Sequence, residues 1–485
     1  MAQTAVMRAI VPEWAFWRER GEEPDLPFGR ALVGMVLDPS WTHRRVETIQ
    51  FVGATRVRRR ISVDISLPQQ RSRTPARGAG RRVSNSERRP AEVDGSPVGL
   101  QHLVPVGALK KQSLVALDVR DEAGSSLPVL SKVDSDWATW SMVVALAEGI
   151  GHGRGARTRE VWDALRRFAF AGSPAAATGE LRELRQRFRG GWPLAGRPGE
   201  AFDELLGWLV SEFLLFVPVA AEPGRRRVLK YSYDDAVPWP PEGTRMERAA
   251  WSVGLGVPRF AFDLSGHGLQ PPYHLELQAP DGIECAPGAH VEVRSVRGSE
   301  NRGHTPKTEW PAVVHLVLSR IPEGSRVRAH VSLHAAFSGA IQAAVLATVI
   351  AAVVLDAGAL LPARVGADRG GGAATLLLAV VGLGSFYAGR PGEHVFVSRM
   401  LFGVRMQAVM AGVLSYLAAM IVVLAPGEVR SAWLVLGTIA SLSAAVSIVS
   451  FVSFVARQRR WDGARREREG RDEMERLEAT DGVRV

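Results

Sequence analysis

Seven histidines able to bind a metal ion or to exchange protons fall in one stretch of the chain: His267, His274, His290, His304, His315, His330 and His334. A metal ion needs two or three imidazoles or carboxylates that converge on one point. His330 and His334 would share a face on either a strand or a helix. We interpret the seven as ordinary surface or interface histidines and assign no metal ligands; metal binding or proton sensing is the alternative.

Two adjacent carboxylates, Asp234 and Asp235, follow the aromatic residue Tyr231. General acid–base catalysis uses such acids in pairs, but neighbours on a strand point to opposite faces of the sheet. A calcium site would need several more oxygen ligands than this segment offers. We therefore interpret the segment as a loop without a catalytic role.

Short motifs of known chemistry are absent from the sequence. It contains no GxxxxGK[ST], HExxH, CxxC or GxSxG pattern, and the glycine-rich run Gly151–Gly155 lacks the Lys-Ser or Lys-Thr of a phosphate-binding loop. We interpret that run as a turn between helices. The sequence thus predicts no catalytic, cofactor-binding or metal-binding residues and no enzymatic activity; an enzyme remains the weakest hypothesis because no motif supports it.

The charge balance is basic, with 60 Lys and Arg residues against 50 Asp and Glu residues. Almost all the basic residues are arginines, which suggests codon bias in a GC-rich genome and makes nucleic-acid binding unlikely as an interpretation. Cys285 is the sole cysteine, so no intramolecular disulfide is possible, which suits a reducing compartment. Residues 1–20 lack the continuous apolar core of a signal peptide, so we expect the first domain to stay in the cytoplasm.

Four stretches after residue 328 contain no Asp, Glu, Lys or Arg. They hold 27, 20, 22 and 26 residues, bounded by Arg328 and Asp356, Arg369 and Arg390, Arg405 and Glu428, and Arg430 and Arg457. A hydrocarbon layer of about 30 Å requires about 20 apolar helical residues. We therefore predict a membrane domain over residues 335–456, with four transmembrane helices at about 335–355, 373–389, 406–425 and 432–456. A buried helical bundle is the alternative.

We call these four charge-free stretches windows. The arginines that flank them predict the orientation of the chain in the membrane. If all four windows cross, one side carries the excess positive charge, at Arg326, Arg328, Arg390, Arg399, Arg405, Arg457, Arg459 and Arg460. The opposite loops balance Arg364, Arg369 and Arg430 against Asp356, Asp368 and Glu428. Because excess positive charge marks the cytoplasmic side, we predict a multi-pass protein of the plasma membrane with both termini in the cytoplasm.

Polar groups inside the windows bear on function. The windows contain no ionisable carboxylate or basic side chain, and this argues against a proton-coupled or ion-coupled transporter. Hydroxyls recur in the fourth window at Ser443, Ser447, Ser450 and Ser453. They indicate either a polar stripe along a pore or, as we favour, close helix packing through small residues.

Alternating apolar residues predict strands in two blocks. The first block holds Ile61–Leu67 and a hairpin from Val115 to Leu130; the second holds segments starting at Tyr273, Val291, Val313 and Val327. The last strand runs into the first window with almost no linker, which predicts a stiff joint near His334. Between the blocks, helical spacing is seen at Trp137–Ile150, and an apolar stripe from Phe202 to Phe216 predicts a core helix.

The predicted fold class is α+β: an N-terminal cytoplasmic antiparallel β-sandwich-like region with a helical insertion, followed by a C-terminal four-helix transmembrane domain. The predicted segments are a β-rich region at 1–135, the insertion at 136–222 and a second β-rich block at 223–334. Two small α+β domains in series are the alternative to a single sandwich.

Two charged segments lie outside these elements. Residues 69–97 are rich in Arg, Ser, Pro and Gly and bury too little to offset their ordering entropy, so they are predicted to be a disordered loop. Residues 457–485 form a basic, charged cytoplasmic tail in which Arg465 to Glu478 is predicted to be helical. Its arginines from Arg457 to Arg471 are predicted to attract anionic lipid headgroups.

The strand Arg58–Pro68, the segment Pro105–Leu130 and the C-terminal helical hairpins together resemble uncharacterised multi-pass membrane proteins of high-GC Gram-positive bacteria. The resemblance implies a bacterial plasma membrane and supplies no catalytic residues. Our leading hypothesis is a membrane-anchored sensory or interaction protein, whose cytoplasmic domain contacts a protein partner or itself. The alternative is an oligomeric pore-forming effector gated by that domain.

Overall fold

The computed structural model describes the following residues: 10–11, 23–67, 101–112, 114–150, 159–187, 197–220, 225–252, 255–264, 272–286, 288–294, 308–310, 312–318, 326–335, 339–360, 379, 394–424 and 429–481. Within them the chain is α+β, with three sheets followed by C-terminal helices. The predicted disordered loop 69–97, the Gly151–Gly155 run, His267 and His304 lie outside the described residues.

A main sheet of seven strands extends over described residues from Thr42 to Leu318. In chain order the strands are β2 (Thr42–Phe51), β3 (Arg56–Ser66), β5 (Val115–Arg120), β7 (Arg226–Ala236), β9 (Tyr273–Gln278), β12 (Thr308–Trp310) and β13 (Val313–Leu318). They lie side by side in the order β12-β13-β9-β2-β3-β7-β5. Only the central pair β2–β9 is parallel among these described pairs, and it joins the two predicted β blocks into one continuous sheet.

Two smaller sheets cover the same face of the main sheet. The first cover sheet contains β1 (Ile10–Val11), β4 (Gln101–Lys110) and β6 (Glu212–Ala220). The second cover sheet contains β8 (Arg259–Leu264), β10 (Ile283–Cys285), β11 (His290–Arg294) and β14 (Arg326–Ala335), and β14 pairs with each of the other three. The main sheet thus forms a sandwich with each cover sheet, one per half.

Separate apolar clusters fill the two halves. Under the first cover sheet, side chains of β3 and β7 such as Ile61 and Leu229 meet Leu215 and Val217 of β6. Under the second, Leu275 of β9 packs in the same cluster as other buried residues, including Phe260, Phe262, Val331 and Leu333. Alternation along each strand sends these side chains inward.

Helices cover the outer face of the first cover sheet. They are α1 (Leu26–Leu37), α2 (Lys132–Ile150), α3 (Arg159–Ala169), α4 (Pro174–Arg187) and α5 (Arg197–Leu209). Leu103 of β4 and Phe216 of β6 enter their apolar cluster, so both faces of this cover sheet are buried. A further short helix, α6 (Arg245–Ser252), precedes the second cover sheet.

The prediction of one core helix from Phe202 to Phe216 is wrong after Leu209. The helix α5 ends there, and Phe213 and Phe216 belong to strand β6. A strand buried on both faces has no polar alternation, and a short apolar run of this kind cannot be separated from a helix by periodicity. For the same reason the doubly buried strand β4 was not predicted.

The interpretation of Tyr231, Asp234 and Asp235 as a loop is also wrong, because all three lie on β7. The predicted opposition of the two carboxylates is confirmed. Asp234 lies on the opposite face of the sheet from Asp235, is also buried at 7% exposure, and its Oδ1 accepts a hydrogen bond from Arg58 Nε at 2.8 Å. Asp235 turns inward and is only 4% exposed.

The predicted strands of both blocks are confirmed at β3, β5, β9, β11, β13 and β14. In the predicted hairpin, the Leu127 N–H donates to the Val119 carbonyl at 2.8 Å, but the residues from Leu127 to Leu130 form no strand. Strand β5 pairs instead with β7.

Among its described residues, the C-terminal part contains four helices: α7 (Gly339–Leu360), α8 (Val395–Met400), α9 (Phe402–Leu424) and α10 (Val429–Asp481). By length and composition, two segments can cross a membrane, Phe402–Ile421 and Ser431–Gly463. The apolar part described in α7, Ala344–Ala357, is shorter. Apart from residue 379, the predicted second span lies outside the described residues. The predicted tail helix is confirmed as the end of α10.

The prediction that Asp356 lies in a loop between spans is wrong. Asp356 lies inside α7, one turn before the helix ends, and its carboxylate contacts α10. The window was defined by the absence of charged residues, so it had to end at Asp356. The helix itself continues through Asp356 to Leu360. Helices α7, α9 and α10 pack together around small and large apolar side chains, including Leu355, Ala418 and Trp433.

A network of charged and tyrosine side chains is buried where the two halves of the sandwich meet. Glu47 on β2 is 1% exposed and Arg59 on β3 is 3% exposed. Arg59 Nη1 donates to Glu47 Oε1 at 2.8 Å, and Arg59 Nε lies 3.0 Å from Asp235 Oδ2. Tyr273 of β9 donates its hydroxyl to Glu47 Oε2 at 2.7 Å. The network thus connects four adjacent strands.

Burial and the neighbouring charges together set the pKa values of Asp235 and Tyr273. Burial alone would raise the pKa of Asp235, but Arg59 and Lys110 outweigh it and hold that pKa below its ordinary value. Burial, together with the nearby Glu47, raises the pKa of Tyr273 well above its ordinary value. Tyr273 therefore stays a neutral donor, and Asp235 stays an ionised partner of Arg59.

Removing the Arg59 side chain should lower the stability of the sandwich. In Arg59→Met the carboxylates of Glu47 and Asp235 lose their buried partner, so we expect the free energy of unfolding to fall by about 3–5 kcal/mol. Urea unfolding of the detergent-solubilised chain, followed by tryptophan fluorescence, measures this. The control is Arg120→Met, which breaks an exposed pair with Asp118 and should cost less than about 1 kcal/mol. Equal effects of the two substitutions would contradict the role of the network.

Candidate functional site at the junction of sandwich and helices

The core of the second half of the sandwich continues into the C-terminal helices. One apolar cluster contains residues of β9 and β14 together with Ala344 of α7, Phe396 of α8, Ala408 of α9 and Phe454 of α10. Strand β14 ends at Ala335 and α7 begins at Gly339, so only residues 336–338 separate them. The sandwich and the helices therefore share one packed core.

The short helix α8 inserts an aromatic side chain between the layers. Phe396 is fully buried, and its ring centroid lies 4.4 Å from that of Phe51 on β2 and 5.7 Å from that of Phe260 on β8. The side chain of His394 caps the helix, because its Nδ1 accepts the Phe396 N–H at 3.2 Å. Since Phe51 lies in the main sheet and Phe260 in the second cover sheet, movement of α8 must disturb both layers.

Two arginines hold the helices to loops of the sandwich. The guanidinium carbon of Arg399 lies 3.7 Å from the centroid of the Trp239 ring, and Arg399 Nη1 donates to the carbonyl of Ala54 at 3.0 Å. Arg457 Nη1 of α10 donates to the carbonyl of Leu255 at 3.2 Å. A planar guanidinium can stack and donate at once, which an ammonium cannot reproduce.

The third contact is made by His334, near the end of β14. Its ring centroid lies 4.3 Å from that of Trp461 on α10 and 6.4 Å from that of Phe454. His334 Nε2 lies 3.7 Å from Glu284 Oε2 of β10. The imidazole thus lies between the second cover sheet and the part of α10 that follows Arg457, which we call the extension of α10. The predicted stiff joint at His334 therefore involves α10 as well as α7.

The other described histidines of the predicted group lie on the second cover sheet and on the main sheet. His330 lies on the same face of β14 as His334, with its Nδ1 2.9 Å from Glu242 Oε2 and its Nε2 3.1 Å from Glu292 Oε2. The His290 ring stacks on it at 4.9 Å. His274 Nδ1 lies 3.2 Å from His315 Nε2 on the main sheet. Over the described part of the chain, no group of three or more His, Cys, Asp or Glu residues is arranged to hold a metal ion.

Two hydroxyls of the fourth window take part in helix packing. Ser447 is buried and donates to Gln407 Oε1 of α9 at 2.7 Å, and buried Ser450 donates to the carbonyl of Val446 at 2.8 Å. The Ser447 bond joins α10 to α9, whereas the Ser450 bond lies within α10. The Ser447 contact favours the packing interpretation for that serine.

The sequence did not identify Phe396, Trp239 and Trp461 as parts of one site. The available signal was the apolar triplet Val395–Val397 in a segment otherwise expected to be a polar loop. Arg399 and Arg457 were predicted to lie on one side, and the structure places both against the sandwich. Which backbone carbonyls they meet depends on long-range folding.

Comparison of the chain with protein-family models, with curated proteins and with solved structures gave no match. The geometry of the junction is therefore the basis for assigning a role. It contains aromatic packing and charged anchors, and no nucleophile paired with a base in the contacts described above. Such an arrangement packs the sandwich directly against the helices.

Removing the Trp461 ring should loosen the second cover sheet. An aromatic contact of this type contributes about 0.5–1.5 kcal/mol beyond its buried area, so Trp461→Ala should raise amide hydrogen exchange in β10 and β14 by about two- to tenfold. Mass spectrometry of the detergent-solubilised protein measures the rates. Trp461→Phe keeps a ring and should restore most of the protection. Unchanged exchange in Trp461→Ala would show that the contact does not stabilise the sheet.

Proposed function

We propose that the chain is a membrane-anchored sensory or interaction protein in which a cytoplasmic β-sandwich is mechanically coupled to four transmembrane helices. The single observation that carries the proposal is the apolar cluster shared by the second half of the sandwich and helices α7 to α10. A ligand or protein partner that shifts the second cover sheet would shift the helices, since packed cores deform as units.

The proposed orientation is supported by the junction itself. Arg399, Arg457 and Trp461 all contact the sandwich, so the α8–α9 boundary and the end of the apolar part of α10 lie on the sandwich side. Arginine-rich flanks favour the cytoplasm. We place the sandwich and both termini there, in the plasma membrane of a bacterium as the family resemblance implies. The four spans comprise α7, a second span within 373–389, α9 and α10.

Anionic lipid headgroups are proposed partners of the segment from Arg457 to Arg471. Arg459 and Arg460 are exposed on α10 directly beyond its apolar part. Basic residues at this position attract anionic lipid, each by about 1 kcal/mol near the surface. This attraction would hold the extension of α10 beside the membrane, where Trp461 meets His334.

Single cysteines test membrane topology, because the chain has one natural cysteine and it is buried. In a Cys285→Ser background, Ser125→Cys marks an exposed turn of the sandwich and Leu360→Cys marks the end of α7, where Leu360 is 77% exposed. A membrane-impermeant maleimide should label Leu360→Cys in intact cells and Ser125→Cys only after lysis. Labelling of Ser125→Cys in intact cells would reverse the orientation.

A flexible spacer tests coupling through α7. His334→Ala is expected to change the labelling rate of Leu360→Cys several-fold, because β14 leads directly into α7. A Gly-Ser spacer between Ala335 and Gly339 should reduce that change, whereas the same spacer in the exposed turn at Gly124 should leave it intact. If the spacer beside α7 has no effect, the direct connection does not transmit the change.

A further inference from the structure

Asp356 is the only carboxylate among the described residues of α7, α8 and α9 and of α10 before Arg457. Among the described residues of α7, Asp356 is the only charged one, and its Oδ2 accepts a hydrogen bond from the Ser441 hydroxyl of α10 at 2.5 Å. A Cβ atom at Gly437 would lie 2.5 Å from Asp356 Oδ1. Glycine at position 437 therefore leaves the notch that the carboxyl occupies.

Both partners lie at the same depth. Asp356 is 17 residues after the start of α7 and Ser441 is 16 residues before Arg457, which places each about 25 Å from the sandwich end at 1.5 Å per residue. A hydrocarbon layer is about 30 Å thick. The carboxyl would thus lie inside the layer, about one helical turn from the side opposite the sandwich.

Other ionisable groups of the neighbouring helices are placed elsewhere. On α9, Arg405 lies at the sandwich end and Tyr416 is 49% exposed. On α10, the charge nearest in sequence is Arg430, two turns before Gly437. In the described contacts of Asp356, its partner is a hydroxyl and not a cation. A carboxylate in hydrocarbon is costly without a counter-charge or water, whereas a neutral carboxyl fits with one hydrogen bond.

We propose that Asp356 is a proton-binding site at the contact of α7 with α10, and that loss of its proton loosens this contact on the side opposite the sandwich. The released proton passes to water on that side, and the ionised carboxylate draws water into the notch at Gly437. Because α7 continues from β14, the loosened helix would alter the packing at the junction around His334. The inference rests on the proposed function, since it requires α7 and α10 to lie in lipid.

Dicyclohexylcarbodiimide, an apolar reagent that modifies protonated carboxyls in hydrocarbon, tests the site in the full-length protein in liposomes of neutral lipid. Peptide mass spectrometry should find modified Asp356 at low pH, with the yield falling about tenfold across two pH units centred on a midpoint. Asp356→Asn should remain unmodified at that position. Absence of modification at every pH, or a yield independent of pH, would overturn the proposal.

Matched serine variants test the geometry. Ser441→Ala removes the hydrogen bond donated to Asp356 Oδ2, so the midpoint of its labelling should shift. Ser443→Ala lies two residues further, on another face of the helix, and should leave the midpoint unchanged. Equal shifts in both variants would overturn the assignment of Ser441, and protection by sodium at constant pH would overturn the proton as ligand.

Hydrogen exchange tests the loosening. After correction for intrinsic rates, amides of Ala344–Ala357 should exchange several-fold faster above the midpoint than below it, and Asp356→Asn should abolish the difference. An unchanged difference in that variant would overturn the loosening. Extraction with alkaline carbonate distinguishes failure of the proposed function from failure of the proton site. A protein that is extracted refutes membrane insertion itself, whereas an inserted protein with unreactive Asp356 refutes only the proton site.

Discussion

The buried carboxylate of Glu47 constrains how the strands of the main sheet are arranged. It lies on β2, the strand where the two halves of the main sheet meet, and it accepts from Arg59 on one side and Tyr273 on the other. The parallel pairing of β2 with β9 brings residues more than two hundred positions apart into this contact. An uncompensated charge at this place would be costly, so the register of the strands and the ion pairs are fixed together.

That constraint has consequences for the junction with the helices. Phe51 lies on the same strand as Glu47 and on the same face, and its ring packs against Phe396. The strand that carries the buried charge thus also carries the contact surface for α8. Because the two halves of the sandwich share one sheet, the helices pack against a continuous core.

Two hydrogen bonds between side chains join the helices at different depths. Gln407 with Ser447 lies toward the sandwich end, and Asp356 with Ser441 lies toward the opposite end. Between them the packing uses small residues such as Ala351, Ala411 and Ala440. Small residues allow helices to approach closely, so each polar pair meets a defined partner and fixes the helix register.

The sequence predicts the alternating strands, the apolar C-terminal helices and the shared side of Arg399 and Arg457, because periodicity and charge are local properties. It did not determine that Phe213 and Phe216 belong to a strand, since a doubly buried run shows no alternation. It also placed Asp356 in a loop, since a window defined by missing charge must end at the charge. Only the tertiary structure brings Glu47, Arg59, Asp235 and Tyr273 together, and only it places Trp461 on His334. These contacts join segments far apart in the chain, and the residues that select each partner lie on a different strand or helix.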